Sequence, residues 1–370
     1  MLKEKKIKIF VDCHVFDKGF QGTRTYIQGL YTELIKDKDK HFYLAASDID
    51  NLKKSFGNHP NITFIKYKYK NAYLRLLFEI PFLVNKNKID FAHFQYRVPP
   101  LKMCRYITTT HDVLFEDFPQ DFPLLNRKES FINYKMSARI SDIIFTVSNY
   151  SKKQIEKHLK VKNVIVMPNG VDAVFFEEYD KNEIQSKVKQ QFGISDYIIY
   201  VSRWEPRKNQ HLALQAFVNL KLYEKHNLVF VGHETFKNKE YDRIYNSLDA
   251  TVKAKIISID RVDFPGLLLL IRGAQAFVYP SRAEGFGIPP LEAVAAKIPT
   301  VCSNVTAMSD FDFFDQFFFD PASPKDFEEK LAMLIHKGDP LIEIKRQKIK
   351  ERYNWVIAAE IYNKAMKNLS

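Results

Sequence analysis

Short apolar runs recur along the chain at strand length, with amphipathic stretches between several of them. In the first half they are Ile7–Val11, Tyr43–Ala46, Ile62–Ile65, Phe91–Phe94, Tyr106–Thr109, Ile143–Val147 and Val164–Met167. Near-continuous apolar strands that alternate with helices predict a parallel sheet, because each crossover helix covers a face of the strands it joins. The pattern restarts after Asn182–Phe192, with runs at Tyr197–Val201, Leu228–Val231, Ile256–Ile259, Ala276–Val278 and Thr300–Cys302. The expectation is an α/β chain of two Rossmann-like parallel-sheet domains, 1–172 and 173–352, whose strand carboxyl ends face a central cleft. The junction is placed at Pro168-Asn169-Gly170-Val171-Asp172, where Pro-Asn-Gly supplies turn chemistry.

Composition narrows the class. With 46% hydrophobic and 27% charged residues over 370 positions, the chain can build cores and is not disordered throughout. Three scattered cysteines and no CxxC pair exclude a disulfide framework or a thiolate zinc cage and favour a reducing, cytoplasmic location. No apolar run follows the charged start at signal-peptide length, and none approaches a membrane span, so neither secretion by that route nor integral insertion is expected.

Charge adds a direction. Residues 1–172 carry 29 Lys and Arg against 18 Asp and Glu, whereas 173–370 carry 27 against 26. An excess confined to the first half points to an anionic partner there: nucleic acid, a phospholipid surface or a phosphorylated acceptor. Lys53, Lys54, Lys66, Lys68, Lys70 and Arg75 interleave with Tyr67, Tyr69 and Tyr73 just before the apolar stretch Leu74–Val84. That combination suits a headgroup layer and predicts peripheral docking on an anionic membrane; no nucleic-acid motif accompanies it.

Two loops hold the candidate chemistry. After Val201 comes Ser202-Arg203-Trp204-Glu205-Pro206-Arg207-Lys208-Asn209, which sets three cations at the start of a helix where unpaired N–H groups already favour anions. Guanidinium groups and lysine there suit a diphosphate. The second loop, Pro280-Ser281-Arg282-Ala283-Glu284-Gly285-Phe286-Gly287-Ile288-Pro289-Pro290-Leu291-Glu292, leaves a strand, crosses two glycines and enters a helix with proline in its first turn. Its two carboxylates suit the hydroxyls of sugar and ribose rings.

This second loop resembles the signature of retaining GT-B glycosyltransferases, particularly glycosyltransferase family four (group 1), and the match continues in order along most of the chain. It includes Gly22 before a helix, Thr110-His111-Asp112, Val147-Ser148-Asn149-Tyr150-Ser151, Pro168–Asp172 and Glu205–Asn209. The resemblance implies that Arg203 and Lys208 hold the donor diphosphate, that Glu292 binds the ribose and Glu284 the donor-sugar hydroxyls, and that Gly285, Phe286 and Gly287 belong to the same nucleotide-sugar pocket. It implies too that His111 reaches the donor sugar and Gly22 offers a backbone contact to phosphate. Residues 353–370 resemble the family's last helix, which crosses back to the first domain. Lys297, where the family commonly has glycine, and Ser309, where proline is usual, depart from the pattern.

The implied reaction moves a sugar from a nucleotide diphosphate to an acceptor hydroxyl with retention at the anomeric carbon. Cations and helix N-termini would stabilise the leaving diphosphate, so no metal or other cofactor is expected. The acidic run Asp310–Asp315 reads as loop or cap, and Phe311–Phe319 as core. Thr110–Pro119 resembles mannosyltransferases of polysaccharide assembly, which makes GDP-mannose the first donor and UDP-sugars or dTDP-rhamnose the alternatives. The expected partners are a sugar nucleotide, a glycan or lipid-linked oligosaccharide acceptor and the inner face of the cell membrane, without nucleic acid. A non-catalytic nucleotide-sugar-binding module and a GT-B epimerase are the rival readings.

Overall fold

The computed structural model describes residues 6–17 and 22–369; the charged start Met1–Lys5 lies outside them. The chain divides into two compact units, one formed by Met1–Gly170 with Asn354–Ser370, the other by Val171–Tyr353. Among the described residues the first unit has seven strands: β1 (Ile7–Asp12), β2 (Lys40–Ala46), β3 (Ile62–Lys66), β4 (Phe91–Gln95), β5 (Arg105–Thr109), β6 (Ile143–Thr146) and β7 (Ile165–Val166). They pair in parallel in the order β3-β2-β1-β4-β5-β6-β7. The second unit has six: β8 (Tyr197–Val201), β9 (Asn227–Val231), β10 (Ile256–Ile259), β11 (Ala276–Tyr279), β12 (Thr300–Ser303) and β13 (Phe318–Phe319). Their order is β10-β9-β8-β11-β12-β13, again parallel throughout.

Each sheet therefore grows outward in one direction, returns beside its first strand and grows the other way. That reversal falls between β1 and β4 in the first unit and between β8 and β11 in the second. Crossovers leave to opposite sides at such a point, so the chain opens a crevice beyond the carboxyl ends of those two strands. The apolar runs read as strands from the sequence all form strands, with ends shifted by a few residues. The sequence reading did not include β13, two residues inside the phenylalanine-rich run read as core, where Phe311, Phe313, Phe314, Phe317 and Phe319 are buried.

The helix Trp355–Lys367, capped by the Asn354 side chain accepting from the Ile357 N–H, belongs to the first unit. It packs on the helix Gly22–Leu34 through the Trp355 ring. A Cβ added at Gly29 would lie 2.0 Å from that ring, and one at Gly170 would lie 2.5 Å from the Trp355 nitrogen. Only glycine permits both approaches. Lys297 adopts the left-handed conformation (φ 61°) that glycine takes more readily, and its ammonium pairs with Glu178 at 2.8 Å and Glu343 at 2.9 Å.

The basic stretch of the first unit is less uniform than its sequence suggests. Tyr67 and Arg75 are buried: the Tyr67 hydroxyl donates to Asp12, and Arg75 donates to the Lys70 carbonyl while lying over the Tyr67 ring. These two residues are core and cannot meet a headgroup, which corrects the expectation for them. A π-helical turn at Arg75–Glu79 turns both its ends inward, where the Glu79 carboxylate accepts from the Lys68 and Tyr69 N–H groups. The opposite face carries Leu74, Leu77, Phe78 and Phe82, the two phenylalanines each 62% exposed. Among the described residues, no helix is long and apolar enough to cross a membrane.

Candidate active site

The crevice of the second unit is built from the loops after β8 and β11. Behind β8, a short turn at Pro206–Lys208 and a left-handed Asn209 lead into the helix Gln210–Asn219. Behind β11, Gly287 takes φ 91° and opens the helix Ile288–Ala295, whose first turn accepts proline because its N–H groups have no helical partner. A Cβ at Gly287 would meet the Met308 side chain at 3.1 Å. The two loops are tied together by the Arg282 N–H, which donates to the Arg207 carbonyl at 2.7 Å.

Across this junction runs a continuous chain of charges. Arg203 pairs with Glu205 at 2.8 Å, Glu205 with Arg207 at 2.6 Å, Arg207 with Glu284 at 3.0 Å, and Glu284 with Lys208 at 2.5 Å. Glu284, 7% exposed, also accepts from the Tyr279 hydroxyl at 2.8 Å, and its own N–H donates to Thr306 Oγ1. Burial would raise this carboxyl, but Lys208 and then Arg207 override it and hold it at about 2. Burial, with the Arg207 charge beside it, pulls Lys208 below its ordinary value, while Glu284 and Glu205 oppose that shift. Three cations and two carboxylates leave one net positive charge at a helix N-terminus. Neither Phe286 nor Gly287 gives its N–H to a backbone carbonyl among the described residues.

Glu292 stands outside that chain. Burial, and then the charge of Asp172, push its carboxyl up to about 8. Trp204 is buried against Tyr241 (ring centroids 4.7 Å apart) and Phe230 and packs rather than projecting. Phe286 likewise packs edge-on against Phe311 and Tyr353. The Asp312 carboxylate of the acidic run pairs with Arg352 at 2.7 Å.

His111 and Gly22 lie in the first unit. Burial lowers His111 to about 3, so its ring is neutral at pH 7. Its Nε2 stands 2.8 Å from Gln95 Oε1, a pure acceptor, which fixes the proton on Nε2 and leaves Nδ1 as the acceptor edge. Among the described residues, a Cβ at Gly22 would meet nothing within 4 Å.

Some participants were not singled out from the sequence. Arg207 was one cation among three, yet of the three its side chain is the one that pairs with both the Glu205 and the Glu284 carboxylates. Tyr279, the last residue of a strand, and Thr306, in a left-handed conformation, complete the Glu284 environment. In the first unit Asp12 and Gln95 end β1 and β4, the two strands at the reversal, and that position was their only signal.

Residues 20–175 match the description "Glycosyltransferase Family 4" and residues 181–354 match "Glycosyl transferases group 1". The chain is 27% identical over 228 residues to an O-antigen chain mannosyltransferase B of Escherichia coli, covering 59% of each protein. It is 26% identical over 296 residues to the O-antigen chain mannosyltransferase RfbU of Salmonella typhimurium, covering 79% of this chain and 76% of the relative. Sucrose-phosphate synthase from Thermosynechococcus elongatus superposes with a TM-score of 0.76 at 15% identity, over 98% of this chain and 99% of that one. That likeness shows the GT-B fold. With one unit matched by each half of the family's description and its motif loops set at both sheet reversals, the chain belongs to the group 1, family four glycosyltransferases and is a sugar transferase.

Proposed function

We propose that this enzyme transfers mannose from GDP-mannose, with retention at the anomeric carbon, to a hydroxyl of a lipid-linked or polysaccharide acceptor in surface glycan synthesis. The observation that carries the reading is the Arg203–Glu205–Arg207–Glu284–Lys208 chain at the β8/β11 reversal. It holds Glu284 ionised, as an acceptor for donor-sugar hydroxyls. It also sets Lys208 and Arg203, with the Phe286 and Gly287 amides, to take the charge that builds on the leaving diphosphate. Glu292 receives the ribose, and the neutral His111 and the Gly22 backbone supply the donor contacts that the family resemblance gives them. Because cations and amide dipoles already meet the leaving group, turnover proceeds without a divalent metal. The choice of mannose is supported by relatives whose names specify mannosyltransferases.

The acceptor side is proposed to meet an anionic membrane at the cytoplasmic inner face through the exposed lysines and the Leu74–Phe82 surface. The test of the donor is calorimetry of the full chain with GDP, UDP, dTDP and their common sugar conjugates, followed by transfer assays with and without a chelator. GDP and GDP-mannose should bind selectively and the chelator should leave the rate largely intact. Selective binding of UDP or dTDP moves the donor to those sugars, and binding by none overturns the phosphate site. NMR of the product settles retention, since an inverted anomer removes that part of the reading.

A further inference from the structure

Three cations follow β8, and the molecule does not use them alike. The Arg203 side chain is 59% exposed, and among the described residues it pairs with Glu205 alone. The Lys208 ammonium carries three hydrogens and has one acceptor among the described residues, Glu284 Oε1 at 2.5 Å. Both keep donors for a ligand.

Arg207 is committed to the protein itself. Its side chain is 12% exposed, and Nη1 donates to the Ala283 carbonyl at 2.7 Å and to Glu284 Oε2 at 3.0 Å, which takes both hydrogens of that nitrogen. Nη2 pairs with Glu205 at 2.6 Å. The main chain joins in, since the Arg207 carbonyl accepts from the Arg282 N–H at 2.7 Å. The fully buried Ser281 hydroxyl lies in the same seam, 3.3 Å from both the Arg207 and the Ala283 carbonyls. One residue of the β8 loop thus grips the β11 loop from Ser281 to Glu284.

What this grip fixes is the direction of a carboxylate. Glu284 Oε1 faces Lys208 and the Tyr279 hydroxyl, whereas Oε2 meets Arg207. A guanidinium is planar and its donors have fixed directions, so with Ala283 and Glu205 holding the others, the N–H aimed at Oε2 has one orientation. An ammonium on a flexible stem imposes no such plane.

We propose that Arg207 is a positioning residue that fixes the Glu284 carboxylate from the facing loop and takes no part in holding phosphate, which falls to Arg203 and Lys208. This rests on the reading of the chain as a glycosyltransferase in which Glu284 accepts from donor-sugar hydroxyls. It divides three cations that stand side by side in the sequence: two meet the ligand, and one sets the group that meets the sugar. A displacement of about 1 Å at a reacting centre can cost about 10²-fold in rate, so a group that holds Glu284 in place acts on turnover without touching the donor.

The test uses the full chain and two readings. Titration with GDP reports the phosphate ligands, and release of GDP from GDP-mannose, with water taking the mannosyl group, reports turnover. Arg207→Lys keeps the charge and loses the fork; it should lower kcat by about 10-fold or more and leave the GDP dissociation constant within about 3-fold of wild type. Arg203→Lys should do the reverse, weakening GDP by more than about 3-fold with a smaller change in kcat, because bidentate phosphate contacts are lost. The wild-type chain gives a third reading that needs no buried variant to fold. In 15N spectra, saturation with GDP should shift the Arg203 guanidinium signals, identified by their loss in Arg203→Lys, and leave the slowly exchanging signals of buried arginines in place.

A GDP affinity that falls as far in Arg207→Lys as in Arg203→Lys overturns the proposal, as does a shifted signal from a buried guanidinium. A lower melting temperature with kcat intact makes Arg207 a brace between loops and overturns it too. In each of those cases GDP still binds and the proposed function stands. If UDP binds in place of GDP, the same comparison with UDP and UDP-glucose moves the donor and still decides the role of Arg207. If no nucleotide diphosphate binds the wild type, the proposed function fails and this assignment falls with it.

Discussion

The two sheet reversals are built on one topology and hold opposite kinds of chemistry. At β8/β11 every charge of the central chain is answered by another side chain, and Glu284 is ionised because two cations enclose it. At β1/β4, among the described residues, Gln95 Nε2 has no partner, and Lys53, Lys66 and Lys70, which line a cavity there together with Asp17, Asp48 and Asp50, pair with no carboxylate. The first arrangement is preorganised: its groups are already oriented, and a ligand gains their field without reorganising them. The second carries hydrogen-bonding capacity that no other described side chain takes up.

Cutting the closed chain should give the largest effect. Glu284→Ala should lower kcat by about 10²–10³, the scale of losing a preorganised electrostatic group, with a smaller loss of nucleotide affinity. Lys208→Ala should weaken both and also lower the melting temperature, because removing one partner of a buried pair strands the other charge. Wild-type activity in either variant would dissolve the contrast between the two reversals.

Protonation gives the next effect and separates two carboxylates of the same unit. Glu284 has a depressed folded pKa, so its contribution to stability is present above its unfolded value near 4.5 and is lost as pH falls towards 2. Glu292 is shifted the other way. Its contribution is full below about 4.5 and is lost as pH rises through about 8. Glu292→Gln should therefore match wild type near pH 5 and exceed it near pH 9 by an amount on the order of 1–3 kcal/mol, read from urea melts at both pH values. An unchanged alkaline slope would place the Glu292 carboxyl in a wetter setting than its neighbours imply.

In the open site, Gln95→Leu should change stability by no more than about 1 kcal/mol. It removes one unmet donor but leaves the His111 N–H without its acceptor, and these terms oppose. A loss of several kcal/mol would show that the carboxamide is structural. The smallest effect is expected at Lys297→Gly, outside both sites. Relief of the left-handed backbone is offset by two exposed ion pairs and by the freer unfolded chain, so the melting midpoint should move by less than about 1 kcal/mol.

How much of this could be read in advance follows from where each signal lies. Parallel strands buried on both faces announce themselves as apolar runs, so β1 to β12 were legible. β13 was not, because two residues carry no period and the phenylalanines around it are buried whichever way they point. The Glu284 loop was legible because its residues are contiguous. Asp12, His14 and Gln95 were not, since nothing in a one-dimensional pattern joins the end of the first strand to the end of the fourth. Tyr67 and Arg75 misled because lysines and tyrosines in alternation describe an exposed ribbon and a folded-in corner equally well. A π-helical turn decided between them.

The glycine notch that receives Trp355 has a consequence in time. Gly29 and Gly170 are made early, whereas the indole that fills their notch arrives only after Val171–Tyr353 has been translated, about 180 residues later. At about 5–20 residues per second the nascent first unit waits roughly 10–40 s with that groove uncovered. The second unit, which runs to Tyr353, is itself complete only as Trp355 is made. The unit that begins first on the ribosome thus cannot finish before the other has been made in full.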